Sequence, residues 1–329
     1  MKTFSHTVWF QLARAPVVAA LLAVSAQVAA QSWPSGPVRI IVPFAAGGTS
    51  DILARVISPR LGEAIGQPVL VENRPGANGN IGAEAVARAA PDGQTLLLAD
   101  LGAIAINPAI YKMNFDVVRD FVGVSMVAYS PHLLVVHPSV PAKSVRELIA
   151  LARANPGKLN FAASGIGGPP HLAGVAFEQQ AGVKWTYVPY KGGAAAMIDL
   201  AGGHAEVAFN GMLATYPFVR GGKLRLLAVS SAERYPSIPE VPTLRELGLR
   251  DFETGSWQGI LTAAASPRPA LERLHAELGR ILNTPDTREF LAKQGAQVST
   301  MAPDELTGWM KRETAKWGEV VRKAGIKIE

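Results

Sequence analysis

WPSGPVRIIVPFAAGGTSD, residues 33–51, is the stretch whose reading decides the fold. The apolar run 38–44 stops at Gly47-Gly48, and the polar triplet Thr49-Ser50-Asp51 opens an apolar-periodic segment, 52–61. That order reads as a buried strand, a tight turn and a helix N-terminus. Glycines let the turn backbone approach a ligand closely. The helix start supplies unpaired N–H groups and partial positive charge, so the turn suits an anion. On local grounds an ordinary strand-to-helix turn with a Thr or Ser cap explains the same residues. No Gly-Lys-Ser/Thr follows, so this is not a nucleotide phosphate loop, and the G-x-G-x-x-G dinucleotide pattern is absent here.

The preceding residues point to export. Residues 1–30 hold Lys2 and Arg14, no acid, an apolar run at 15–24 and the small residues Val28-Ala29-Ala30. This pattern predicts a signal peptide cut after Ala30, with an apolar run too short for a permanent anchor. The chain has no cysteine. Disulfides, thiolate metal sites and a lipid-bearing cysteine are therefore excluded, and a soluble periplasmic protein is expected. Taking 30 residues from 329 leaves 299, enough for two domains, and the formal charge falls from +6 to +4. The remaining basic residues are scattered, so no nucleic acid is expected. A modest positive excess suits anionic ligands without demanding them.

Strands alternate with amphipathic helices along most of the chain. Strands are predicted at 38–44, 68–73, 95–100, 122–127, 133–137, 160–163, 185–188, 205–209 and 224–230. Helices are predicted at 50–65, 79–90, 144–155, 171–181 and 194–201, and the chain beyond Pro269 is mainly helical, at 270–282, 287–293 and 303–324. This alternation implies mostly parallel α/β sheets. Glycine-rich turns recur where strands meet helices: NRPGANGN at 73–80, ASGIGGPPH at 163–171 and PYKGG at 189–193. In open α/β sheets ligands collect at such turns, outside the carboxyl ends of the strands. Two domains offering them to one cleft make a clamp.

VPFAAGGTSDILAR, VENRPGANGNIGAEAVARAAPDGQTLLL, INPAIYK, LLVVHPSVPAKSVRELIALA, HLAG, VPYKGG and GKLRLLAVSS occur in this order. Together they resemble the Bug/TctC family, the periplasmic solute-binding proteins of tripartite tricarboxylate transporters. The resemblance covers essentially the whole chain after the leader. It implies a two-domain Venus-flytrap fold crossed twice by the chain, near 130–133 and 252–257. Domain one is then 33–130 plus 257–329, and domain two is 131–256. It also implies a monomer that captures a small organic acid and delivers it to membrane transporter subunits, with no cofactor, metal or catalysis. A ligand-sensing partner of a membrane sensor is the alternative, and a periplasmic hydrolase a weaker one. No G-x-S-x-G elbow or H-E-x-x-H helix supports an enzyme.

Family members grip a ligand carboxylate with backbone amides and hydroxyls. The matching positions here include Phe44, Ala45, Gly47, Gly48, Thr49 and Asp51 in domain one, and Ser164, Gly165, Gly168 and His171 in domain two. An ionised carboxylate only accepts hydrogen bonds, so converging donors suit it. Each residue has a plain structural alternative: a cap for Thr49 and Ser164, a turn histidine for His171, core packing for Phe44. Lys191 is a counter-ion or a solvated lysine, and Trp257 a pocket wall or a hinge packer. Three positions depart from the family pattern: Asp100 after the TLLL run, Gly168 in place of a hydroxyl residue, and Asn210 in place of an acid. Asp100 and Asn210 are therefore read as ligand contacts that tune specificity, with pairing to an Arg or Lys as the structural alternative for Asp100.

Overall fold

The computed structural model describes residues 33–250 and 252–324. The expected signal peptide, 1–30, lies outside the described residues. In chain order the elements begin with β1 (Val38–Val42), α1 (Thr49–Ile65), β2 (Val69–Asn73), α2 (Asn80–Ala87), β3 (Thr95–Asp100), α3 (Leu101–Ile106) and the long β4 (Phe121–Val136). There follow α4 (Val145–Ala154), β5 (Asn160–Ala163), α5 (Pro169–Ala181), β6 (Thr186–Pro189), α6 (Gly193–Ala201), β7 (Val207–Gly211), α7 (Met212–Arg220) and β8 (Arg225–Val229). The last are β9 (Gly255–Ala263), α8 (Arg268–Leu282), α9 (Pro285–Lys293), β10 (Gln297–Val298) and α10 (Pro303–Ala324).

The strands form a two-domain α/β structure in the order β2-β1-β3-β9-β4-β7-β5-β6, with β8 and β10 also paired to β4. Parallel pairing holds where sequence predicts it, among β1, β2 and β3 and among β5, β6 and β7. Around the crossings the sheet is antiparallel, because β4 leads out and β9 leads back beside it. The expected separate strands at 122–127 and 133–137 are one strand. Its 121–131 part pairs with β9 and its 132–136 part with β7 and β8. Pro131 does not break it, since it stays in register with Gly255.

Side-chain alternation builds the layers. Leu96 and Leu98 of β3 join Leu53, Ile57 and Leu61 of α1 and Leu274 and Leu278 of α8 on one face. Leu97 and Ala99 point the other way, to Leu101, Leu261, Leu306 and Met310. The same period-2 split recurs in β4, where Leu134 and Val136 meet Phe161, Phe177 and Phe209 while Leu133 and Val135 meet Met197 and Leu200. Fully burying one such side chain contributes about 1.5–3 kcal/mol. These faces therefore hold β3 and β4 firmly, and with them the turns at their ends.

The crossing is cross-braced. Ser130 Oγ donates to Gly295 O at 2.9 Å and accepts from Leu213 N–H at 3.2 Å. His132 N–H donates to Ser230 Oγ at 2.9 Å, and Ser230 N–H returns to His132 O at 2.9 Å. His132 Nδ1 lies 3.0 Å from Thr254 Oγ1, and Ser256 Oγ lies 3.5 Å from His132 Nε2.

Candidate functional site

The carboxyl ends of β1, β3, β5 and β7 open on one cavity of about 50 Å³, walled by residues from both sides of the crossing. Of the sequence-predicted residues, Phe44, Gly48, Thr49, Asp100, Ser164, Gly168 and Asn210 line it. Ala45, Gly47, Asp51, Gly165 and His171 do not line it.

The turn after β1 is built as the glycines imply. Gly48 is the N-cap of α1, in extended conformation (φ −77, ψ 169) and with no side-chain cap bond. Thr49 is thus the first helical residue and not the cap. Its hydroxyl points across the cleft: a Cβ on Gly211 would lie 2.9 Å from Thr49 Oγ1, so Gly211 leaves it room. The first-turn N–H groups have no partner within the helix and face the same space. Ser50, next in line, donates from Oγ to Gln258 Oε1 at 2.6 Å.

Asp51 serves the turn instead of the cavity. Its carboxylate accepts from Gly47 N–H at 2.8 Å, Arg55 Nε at 3.0 Å and Asn73 Nδ2 at 3.0 Å. Burial would raise its pKa, but those hydrogen bonds and the Arg55 charge outweigh burial and hold it below the ordinary value. The register of β1 with β2 sets Asn73 opposite Val42, which puts the amide beside the turn.

The turn after β5 looks alike in sequence and differs in donors. Gly168 caps α5, again without a side chain, but the next two residues are Pro169 and Pro170, which carry no N–H. His171 braces the loop by accepting from Gly167 N–H at Nδ1, 3.1 Å away, with its ring 4.6 Å from that of Tyr187. Burial lowers its pKa to about 4, so the ring is neutral at ordinary pH. Gly165 has φ +130, and a Cβ there would lie 2.3 Å from Asn78 Oδ1 across the cleft.

Asp100 ends β3 and caps α3, accepting at Oδ1 from Gly102 N–H at 3.0 Å. It is 7% exposed. The ion pair with Arg or Lys is not what the structure shows. Burial pushes its pKa up to about 6, opposed by the Ser256 hydroxyl and the N–H groups of Gly102, Ala103 and Trp257. Asn210 donates to Thr215 Oγ1 at 3.0 Å, which orients its amide.

The rims of the cleft touch. Ala45 N–H reaches Lys191 O at 3.3 Å, and Tyr111 Oη donates to Ile166 O at 2.6 Å. Phe44, Asn78 and Ser164 also line an adjoining space of about 190 Å³ that has Lys191 in its wall. Trp257 packs 4.5 Å from Tyr129 and lines a separate cavity of about 510 Å³ against α10, away from the 50 Å³ cavity.

Sequence reading missed Ser50, Asn78, Gly193, Ser256 and Gln258 among the lining residues. Asn78 and Gly193 stand inside turns already singled out, so those turns were the available signal. Ser256 and Gln258 lie on β9, a strand with no clean alternation, and nothing local marked them.

A family model described as the tripartite tricarboxylate transporter family receptor, TctC, matches residues 53–326. Protein BugT of Bordetella pertussis is 35% identical over 93% of this chain and 94% of its own. A solved R. palustris protein with adipate is 35% identical, covers 90% of this chain and 100% of its own, and has a TM-score of 0.87. The periplasmic binding protein BugD is 33% identical, with coverage of 90% and 100% and a TM-score of 0.86. The chain belongs to the TctC family of tripartite tricarboxylate transporter receptors, the Bug-type periplasmic solute-binding proteins.

Proposed function

We propose that this protein closes on a small carboxylate in the periplasm and presents it to the membrane subunits of a tripartite tricarboxylate-type transporter. One observation carries the reading. The uncapped N-terminus of α1, the Thr49 hydroxyl and the Ser164 hydroxyl face one cavity from opposite sides of the crossing. A carboxylate needs converging donors, and this is where the chain gathers them. The adipate bound by the R. palustris relative fits the same chemistry.

In this reading Thr49, Ser50, Asn78, Ser164 and Asn210 hold or frame the ligand. The domains divide as 33–130 plus 257–329 and 131–256, the division that the two pairing sets of β4 favour. Binding without catalysis is favoured by the Ser256–His132 pair. Its separation is 3.5 Å, and the other ring nitrogen faces the Thr254 hydroxyl instead of a carboxylate, so the serine has no activated base. Burial also lowers the His132 pKa to about 3, which makes it a poor proton acceptor.

The test is a melting-temperature screen against adipate and other small carboxylates, since a ligand that binds only the folded state raises the midpoint. Small-angle scattering with the best of them should show compaction. A protein whose midpoint moves with no carboxylate, or that chemically converts the one it binds, contradicts the reading.

A further inference from the structure

Asp100 is the one ionisable side chain on the wall of the 50 Å³ cavity. Its neighbours offer no cation. Gln258, Ser256 and Trp257 of β9 are neutral, α5 begins with two prolines, and His171 spends Nδ1 on Gly167 N–H. His132 of β4 faces Ser256 and is kept neutral by burial. Asp51 of α1 is saturated by Gly47, Arg55 and Asn73. Lys191 stands in the wall of the adjoining space, which shares Phe44 and Ser164 with the cavity. The binding space thus has unlike ends, with donors and a lysine toward one and a buried acid at the other.

We propose that Asp100 is a specificity-determining residue: it sets negative charge beside the far end of a carboxylate ligand, favours an ammonium, amide or hydroxyl group there, and selects against plain dicarboxylates. The proposal rests on the solute-binding reading and names its ligand class. Asp100 already accepts from the Ser256 hydroxyl and the N–H groups of Gly102, Ala103 and Trp257, so what it presents to the cavity is chiefly negative charge. A second ligand carboxylate there meets like charge in a dry site, where repulsion is strongest. The group is held in place because Asp100 also caps α3 through Gly102 N–H. Asparagine caps as well as aspartate, so Asp100→Asn keeps the bond to Gly102 while removing the charge and one acceptor oxygen.

Calorimetric titration at pH 8 with matched ligands tests this: succinate, succinamate and 4-aminobutanoate, then adipate, adipamate and 6-aminohexanoate. Within the better-bound length, the full-length mature protein should prefer the amide or amine over the dicarboxylate by about tenfold or more, 1.4 kcal/mol by the conversion of affinity ratios. Asp100→Asn should erase or reverse that preference. Lowering the pH to 5 protonates part of the dicarboxylate as well as Asp100, so wild-type binding of the dicarboxylate should strengthen by more than the variant's does. If the variant does not fold, the wild-type preference among the three end groups at pH 8 decides alone. Equal affinity for all three end groups at pH 8 overturns the proposal and leaves the solute-binding reading standing. No binding of any of the six overturns both.

Discussion

The turn after β1 and the turn after β5 have the same outline: a strand, glycines, an uncapped helix start and a side chain four residues behind that ties the loop. Their chemistry is opposite. In the first the brace is Asp51, an acid held in its charged form, and the helix offers N–H groups and hydroxyls. In the second the brace is His171, a base held in its neutral form, and two prolines remove the first N–H groups. In the proposed reading, the first turn holds the anion. The other is built to close over it, contributing Ser164 and a smooth apolar wall. Gly-rich composition alone therefore says where a ligand sits but not which side grips it.

The sharpest way to break this comparison is Gly165→Ala. A side chain at φ +130 is strained, and its Cβ would strike Asn78 Oδ1 in the touching position. The backbone strain, on the order of 1–3 kcal/mol, falls on every state of the fold and lowers the melting midpoint, while the Asn78 amide must swing aside for the rims to meet, so affinity falls as well. Calorimetry reads the affinity and small-angle scattering the lost compaction. A variant that still compacts with native affinity shows the rim does not close as drawn.

The two braces answer differently to acid. His171 has a folded pKa below its unfolded value, so its contribution is complete above about pH 6.5 and is lost as pH falls toward about 4. The loss is on the order of 3 kcal/mol. Asp51, also depressed, keeps its contribution until pH falls through its folded pKa, below the usual carboxylate range. Asp100 opposes both, being raised: its folded form gains as pH drops from about 6 toward 3.8. His132, lowered by burial to about 3, adds a loss of the same sign as His171, so melting midpoints between pH 7 and 4 should fall, and His171→Asn, which preserves an acceptor for Gly167, should flatten the curve. An unchanged slope in that variant removes His171 from the account.

Thr49→Ala comes next in size. A charge-assisted hydrogen bond is worth about 1.5–3 kcal/mol, so affinity should drop about tenfold to 150-fold. Because Gly48 holds the cap position, the melting midpoint without ligand should barely move. A destabilised fold with intact affinity would make Thr49 structural. Ser164→Ala should cost less, about 0.5–1.5 kcal/mol, since its side of the cleft is the weaker donor. If Ser164→Ala outweighs Thr49→Ala, the gripping side has been assigned wrongly.

Much of this was legible in the chain. The run VRIIV and the glycines behind it locate β1 and α1 to within a residue or two, because a buried strand and an apolar-periodic helix behind a glycine turn leave strong local marks. The helix α3 was not legible: all six of its residues are buried, so it has no amphipathic period to read. Nor was β9, whose partners β3 and β4 lie more than a hundred residues upstream, and whose pairing pattern is visible only once they are in place. The role of Asp51 failed for the same reason. Its neighbour Asn73 comes from another strand, and only the β1–β2 register brings the two together.

The unbroken β4 has a consequence for how the protein moves. Its amides on both sides of Pro131 are tied into ladders, and those at His132 and Ser230 are tied twice. A joint made this way does not melt to bend. Amide hydrogen exchange at the crossing should therefore be as slow as in the cores, while the turns after β1 and β5 exchange quickly in the open form and slow on ligand binding. Motion is then confined to a small change of strand twist shared over several residues, which keeps Thr49 and Ser164 in the same relative register each time the cleft shuts.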